Sequence, residues 1–382
     1  MQPMPDMTGA RNQNGLLHLA VLQGDGIGPE ITAATLGVLR ALDSRVGLGL
    51  SFRDVPIGLE TLRAIGTTLP DASFGLARDA DGIILGPVSH NEYPPVAEGG
   101  LNPSGELRKR LALFANIRPA RSRPGFPPRC GKELDLVIVR ENTEGFYADR
   151  SMHYGLGEFM PTPDLALSVR KISREGSTRI AEAAFRLASR RRRKVTAVHK
   201  ANVLRVSDGL FLECVRDVAK RYPGIAYEER IIDAMAALLV RDASAFDVIV
   251  TTNMFGDILS DEASEIAGSL GLAASINAGE AHALAQAQHG SAPDIAGKDL
   301  ANPASLIGSV AMLLGWLGER RGSDRLLHAG DLIERALDQV IARPEWRTAD
   351  LGGPLGTRAF GERVAATVGE LADAAPLAPS LP

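Results

Sequence analysis

Residues 16–44 read LLHLAVLQGDGIGPEITAATLGVLRALDS. LLHLAVLQ is a short apolar run rich in strand formers. The glycine-punctuated GDGIGPE follows, and ITAATLGVLRALDS then places its apolar residues at helical spacing. Pro29 suits the first helical turn, where no backbone N–H is required. The unit is strand, glycine turn, helix, and it recurs along the chain. DGIILGPV (81–88), LDLVIVR (134–140), KVTAVHK (194–200) and FDVIVTTN (246–253) read as buried strands. STRIAEAAFRLASRR (177–191), SDGLFLECVRDVAKRY (207–222) and DILSDEASEIAGSLG (257–271) read as helices. Strands alternating with helices predict an α/β protein with a mostly parallel sheet covered on both faces. The glycines at 24, 26 and 28 do not fit G-x-G-x-x-G, so as a bare pattern GDGIGPE says only that the chain turns tightly.

With 382 residues, the chain suits one large α/β unit or two coupled domains. A formal net charge of -4 gives no electrostatic case for nucleic acid or an anionic membrane. The basic run Arg190 to Lys194 reads as a solvated helix end leading into KVTAVH. Two cysteines, Cys130 and Cys214, exclude a disulfide framework and a cysteine metal site. They fit a reduced, cytoplasmic protein. No apolar run reaches the length of a membrane span, and the first fourteen residues lack the apolar stretch of a secretory signal. Residues 1–14 and 373–382 are expected to be mobile tails. Two long irregular inserts stand out: SHNEYPPVAEGGLNPSG (89–105), and RSMHYGLGEFMPTPD (150–164), which reads as an arm toward a partner subunit.

Several polar residues sit where chemistry is done. Asp257 and Asp261 are four apart at the expected start of a helix and share a face. Asp233, ending YEERIID, is a third acid. Oxygen ligands suit Mg²⁺ or Mn²⁺, although the same spacing fits acids favoured by the helix dipole. Arg108 lies on LRKRLALF, Arg118 in ANIRP, and Arg140 at the end of LDLVIV. Guanidinium forks grip carboxylates at two points, so three that converge would suit a di- or tricarboxylate; surface ion pairing is the alternative. Lys200 closes KVTAVHK and Tyr147 follows Arg140 in RENTEGFY, positions open to a base and a proton donor or to structural roles. The loop HGSAPDIAGKDLANP (289–303) suits close backbone approach to phosphate.

Together, and in this order, GDGIGPE, RENTEGFY, HKAN, DAMA, NMFGDILSDEAS, GSLG and HGSAPDIAG resemble the β-decarboxylating dehydrogenases of isocitrate, 3-isopropylmalate, homoisocitrate, tartrate and D-malate. The resemblance covers roughly residues 16–370. It implies an isopropylmalate dehydrogenase-like fold, one large mixed sheet shared by two domains with the active site in the cleft between them. By motif position, residues 1–113 and 269–382 would form the cofactor-binding domain. Residues 114–268 would form the substrate and dimerisation domain, with the arm near 150–164 helping to build a homodimer.

The resemblance also implies roles. Arg108, Arg118 and Arg140 match the ligands of the substrate carboxylates. Asp257 and Asp261 match metal ligands, and Asp233 and Lys200 match groups donated by the neighbouring subunit. Lys200 is then the base and Tyr147 the proton donor. His289, Gly290, Ser291, Ala292, Asp294, Ile295 and Asn302 match the cofactor loop. Acidic Asp294 would repel a 2′-phosphate, which favours NAD. The reaction implied is NAD-dependent, Mg²⁺- or Mn²⁺-dependent oxidative decarboxylation of a (2R)-malate-type 3-substituted 2-hydroxy acid. Two departures bear on it. Gln286, Ala287 and Gln288 replace the family's frequent Glu-Pro-Val. Ser104 and Gly105 stand where isopropylmalate enzymes carry leucines, and Asn102 and Ser104 stand where isocitrate enzymes carry Ser and Asn. A small polar pocket favours isocitrate-like or smaller polar substrates. The alternatives are 3-isopropylmalate dehydrogenase of leucine biosynthesis, a tartrate or D-malate enzyme, and, outside catalysis, a silent regulatory subunit.

Overall fold

The computed structural model describes residues 16–147, 152 and 157–374. Strand β1 (Leu17–Leu22) leads through the glycine turn into α1 (Gly28–Val46), which carries a proline in its first turn and stops at Gly47 in the left-handed region. Then come β2 (Leu50–Asp54), α2 (Gly58–Ile65), α3 (Asp71–Arg78), β3 (Gly82–Leu85), α4 (Pro103–Arg110), β4 (Ala115–Arg121) and β5 (Asp135–Glu141). A hairpin of β6 (Glu158–Thr162) and β7 (Leu165–Ser168) precedes α5 (Arg174–Ala188), β8 (Lys194–His199), α6 (Ser207–Ala219), β9 (Ala226–Ile231) and α7 (Ile232–Asp242). The chain continues with β10 (Val248–Thr251), α8 (Asn253–Ala267), β11 (Ile276–Ala278), β12 (Ala283–Gln286), α9 (Ala304–Arg321), α10 (Asp324–Ala342) and α11 (Thr357–Ala374).

Ten strands form one sheet in the order β2-β1-β3-β12-β11-β4-β5-β10-β8-β9. Both flanks are parallel, whereas β12–β11, β11–β4 and β4–β5 in the middle are antiparallel. The sheet is thus mixed, α/β, and built from two halves: β4, β5, β8, β9 and β10 on one side, and strands from the start and the later part of the chain on the other. Within β5, successive residues alternate between cores. Val137 and Val139 pack with α5 and α6, and Leu136 and Ile138 pack with α7 and α8. This two-sided burial is why LVIV (136–139) is apolar without a break.

Several expectations change. Helix α8 begins at Asn253, so Asp257 and Asp261 sit in its second and third turns rather than at its tip. Asp233 lies in the first turn of α7, past the end of β9. The basic run follows the end of α5 and leads into β8 with Arg190, Arg192 and Arg193 exposed, as expected; within it Arg191 also bridges Asp135 and buried Asp247, Arg190 pairs with Glu319 on α9, and Lys194 pairs with Glu228. The insert at 150–164 runs into the β6–β7 hairpin, every strand residue of which is exposed; residues 148–151 and 153–156 lie outside the described residues. So do 1–15 and 375–382, but Asp373 and Ala374 of the expected tail are helical, because Leu371 and Ala372 of the same turn are buried. Cys130 and Cys214 are both free. Among the described residues no helix is long and apolar enough to cross a membrane.

Candidate active site

Where the antiparallel middle of the sheet meets α8, three arginines converge. Arg140 ends β5 and is 2% exposed; its Nε donates to Asn253 Oδ1 at 2.9 Å, and its Nη1 pairs with Asp257. Helix α8 can lie this close because Gly256 faces β5: a Cβ there would meet Arg140 Cβ and Cγ at 2.7 Å. Arg118, on β4 and 6% exposed, donates from Nε to Asn116 Oδ1 at 2.6 Å. Its Nη1 reaches Ser260 Oγ at 2.7 Å, Asp257 Oδ1 at 3.1 Å and Asp261 Oδ1 at 3.4 Å. Burial, then the neighbouring Arg140, push this guanidinium down to about 10, against the pull of Asp257 and Asp261. Arg108, on α4, donates to Asn142 Oδ1 at 3.2 Å and to Gln286 Oε1 at 3.0 Å. Tyr147 sits beside them, its hydroxyl 3.4 Å from Asp257 Oδ2.

All three arginines, Tyr147 and Asp257 line one cavity of about 360 Å³. Asn102, Ser104, His289 and Gly290 line it too. Ser104 Oγ donates to Gln286 Oε1 at 3.0 Å, whereas the Asn102 side chain accepts from Gly105 N at 3.1 Å and caps α4. The wall above the arginines is therefore polar. Sequence reasoning noted Gln286 only as a departure; here it is the joint of Ser104 and Arg108. Asn116, Asn253 and Ser260, which fix the guanidiniums, went unread because single Asn and Ser residues carry no spacing signal. The cavity-lining His90, in the 89–105 insert, was likewise missed.

Burial raises the Asp257 carboxyl, but Arg140, Arg118 and Arg108 outweigh it and hold the group below the usual carboxylate range. Asp257 and Asp261 both reach one guanidinium nitrogen, so their oxygens approach a common point. An oxygen-only donor pair of that kind suits a hard divalent cation. The third acid is elsewhere. Asp233 pairs with Lys200, and neither lines the cavity. Among the described residues no three His, Cys, Asp or Glu gather closely enough to hold a metal.

The loop after β12 is held by the first motif of the chain. Ile27 N donates to Ser291 O at 2.8 Å, and a Cβ on Gly26 (φ 56°) would meet that oxygen at 2.0 Å. GDGIGPE is thus a cradle for the 289–297 loop, a role its pattern did not reveal. His289 Nε2 is buried with no hydrogen-bond partner among the described residues, and burial pushes the imidazole below its ordinary value. Ala292 takes the left-handed region (φ 37°), and Asp294 is exposed on the turn that follows, beside partly buried Ile295. An unmet buried nitrogen and an exposed carboxylate on a backbone-lined loop fit a polar cofactor. Asn302 is buried, its amide bonded to Asp350 and to Ala304 N.

The family of isocitrate/isopropylmalate dehydrogenases matches residues 18–364. The 3-isopropylmalate dehydrogenase of Sulfurisphaera tokodaii is 41% identical over 335 residues, covering 88% of this chain and 94% of that protein. The isocitrate/homoisocitrate dehydrogenase of Thermus thermophilus is 42% identical over 349 residues, covering 91% and 97%. The crystal structure of isocitrate dehydrogenase from Methylococcus capsulatus superimposes with a TM-score of 0.82 at 39% identity, covering 93% of this chain and all of that one. With its arginine-lined cavity at the middle of a ten-stranded mixed sheet, the chain belongs to the isocitrate/isopropylmalate dehydrogenase family.

Proposed function

We propose that the chain catalyses NAD-dependent, Mg²⁺- or Mn²⁺-dependent oxidative decarboxylation of a (2R)-malate-type 3-substituted 2-hydroxy acid. The carrying observation is the single cavity in which Arg108, Arg118, Arg140, Tyr147 and Asp257 meet, next to His289 and Gly290. In this reading the cofactor-binding domain is 1–113 plus 269–382, the substrate and dimerisation domain is 114–268, and the protein is a cytoplasmic homodimer. The dimer is supported by two features. Lys200 and Asp233 stand outside the cavity of their own chain, paired with each other. The β6–β7 hairpin exposes Phe159, Met160, Leu165 and Leu167, which suits burial against a second copy.

Asp257, Asp261 and the neighbouring subunit's Asp233 would hold the divalent ion, and the loop 289–295 with Asn302 would hold NAD. When bound, the ion polarises the substrate hydroxyl and the forming ketone, and NAD accepts the hydride. The chain's residues do the rest. Arg108, Arg118 and Arg140 grip the carboxylates and fix the substrate in line, an orientation effect. Lys200 takes the hydroxyl proton as the C2 hydrogen leaves with its electron pair. The β-carboxylate then departs as CO₂, leaving its bonding electrons on the carbon skeleton. Tyr147 delivers a proton to the carbon that lost CO₂.

Ser104, Gln286 and Asn102 line the cavity with polar groups rather than leucines. This supports an isocitrate-like or smaller polar acid over 3-isopropylmalate. Initial rates with isocitrate, homoisocitrate, 3-isopropylmalate, D-malate and tartrate, each with Mn²⁺ and NAD or NADP, test the reading. The expected result is NADH formation with a polar acid. A chain inactive alone with every acid would instead be a silent subunit, and a preference for 3-isopropylmalate would refute the polar pocket.

A further inference from the structure

A buried ion pair lies outside the cavity. Arg170, just after β7, pairs with Asp208 in the first turn of α6; the two side chains are 8% and 0% exposed. The other Asp208 oxygen accepts from the backbone N–H of Lys200 at 2.5 Å. Arg170 Nη2 donates to Thr252 Oγ1 at 3.0 Å, immediately before α8, the helix that carries Asp257. Its guanidinium also lies over the rings of Phe255 (5.3 Å) and Phe146 (5.8 Å), the latter the neighbour of Tyr147. The next residue, Lys171, exchanges backbone hydrogen bonds of 2.8 and 2.9 Å with Gly145, and Ser173 donates to Glu144 at 2.8 and 2.6 Å.

Three segments therefore meet around one charge pair: 199–208 with Lys200 and 252–257 with Asp257 by direct hydrogen bonds, and 144–147 with Tyr147 through the Phe146 ring and the bonds to Lys171 and Ser173, just after Arg170. Burying two charges is a poor way to gain stability, since an apolar pair of like volume commonly serves as well. What the pair adds is geometry, because each partner's hydrogen bonds have fixed directions and different recipients. We propose that Arg170 and Asp208 are positioning residues that fix Lys200, Tyr147 and Asp257 relative to one another. On the shared-site reading above, Lys200 serves the partner subunit's cavity while Tyr147 and Asp257 serve their own. The pair then couples the two cavities of the dimer.

Mixed dimers test this. One chain carries Tyr147→Phe and the other Lys200→Ala, so that one cavity keeps both groups and turnover returns where each homodimer has lost it. Asp208→Asn, which keeps the shape of the side chain, is then added to either chain. In the chain supplying Lys200 it should lower kcat by at least ~10-fold with KM little changed, and in the chain supplying Tyr147 it should do the same. Hydrogen exchange reads the coupling without turnover: in Asp208→Asn and Arg170→Lys, residues 143–147 and 200–204 should both exchange faster, with β5 and β10 unchanged. A loss of kcat confined to the Lys200-bearing chain, or faster exchange at 200–204 alone, overturns the proposal. Failed complementation overturns the shared site instead, and hydrogen exchange then decides on the hub. Should Asp208→Asn not fold, Thr252→Val cuts only the link to α8; unchanged exchange in the first turn of α8 would also overturn the hub.

Discussion

Lys200, Gln286 and Asp294 are the single side chains whose replacement should change turnover, substrate affinity and cofactor preference in turn. Lys200→Ala should lower kcat by roughly 10²–10⁴-fold while the melting temperature holds, because its ion pair with Asp233 is exposed and contributes little. Near-normal turnover would remove Lys200 from the base role. Gln286 Oε1 lies 3.0 Å from Arg108 Nη2 as a neutral acceptor. A carboxylate there would compete with the substrate for the guanidinium, so Gln286→Glu should raise KM by about 10-fold, the scale of one hydrogen bond to a charged group. An unchanged KM would show that the Gln286–Arg108 hydrogen bond does not tune the guanidinium for substrate. Asp294 is exposed on its turn, so Asp294→Lys can be made without disturbing the core, and kcat/KM should shift toward NADP. Preference left at its original ratio would count against the electrostatic choice of NAD. The arginines and acids were legible as residues; their convergence was expected only from the resemblance and not from spacing, since it depends on Asn116, Asn253 and Ser260, whose spacing announces nothing.

Among the elements, α8 decides the site. Glycine inside a helix ordinarily costs about 1 kcal/mol relative to alanine, so Gly256→Ala would be expected to stabilise. Here the sign reverses, because the added Cβ meets Arg140 at 2.7 Å with Thr251 Cγ2 at 3.2 Å behind it. The variant should melt lower than wild type and lose kcat/KM as Arg140 is displaced; a gain in melting temperature with full activity would contradict the packing described. The buried strands could be read directly, since β5, β8 and β10 are covered on both faces and their buried centres are mostly apolar. The start of α8 could not: Thr252 continues the β-branched run of β10, and Asn253, a weak helix former, is held there by contacts with Arg140 and Glu144. The β6–β7 hairpin was hidden for a related reason, because all its strand residues are exposed and no buried face imposes an alternating pattern.

For the whole molecule, the two halves of the sheet are joined by β11 and β4 and, away from the cavity, by an ion cluster. Arg121 and Arg123, at and just beyond the end of β4, both pair with Glu334 and Asp338 on α10. Arg123 is 8% exposed, so Asp338→Ala should lower stability by roughly 1–3 kcal/mol in urea unfolding, Glu334 remaining as partial compensation. The strand-helix alternation alone predicted a mostly parallel sheet; the antiparallel middle came from the resemblance, because connection order is invisible to periodicity. On the proposed mechanism, the arginine cavity, completed by a divalent ion on Asp257 and Asp261, couples oxidation to loss of CO₂. Its most direct test measures NADH and CO₂ released from the purified chain with its best malate-type acid, before and after exhaustive chelation and after Mn²⁺ is restored. Equal amounts of both products, abolished by chelation and recovered with Mn²⁺, are predicted. Undiminished turnover in the metal-free protein, or NADH without CO₂, would rule this mechanism out.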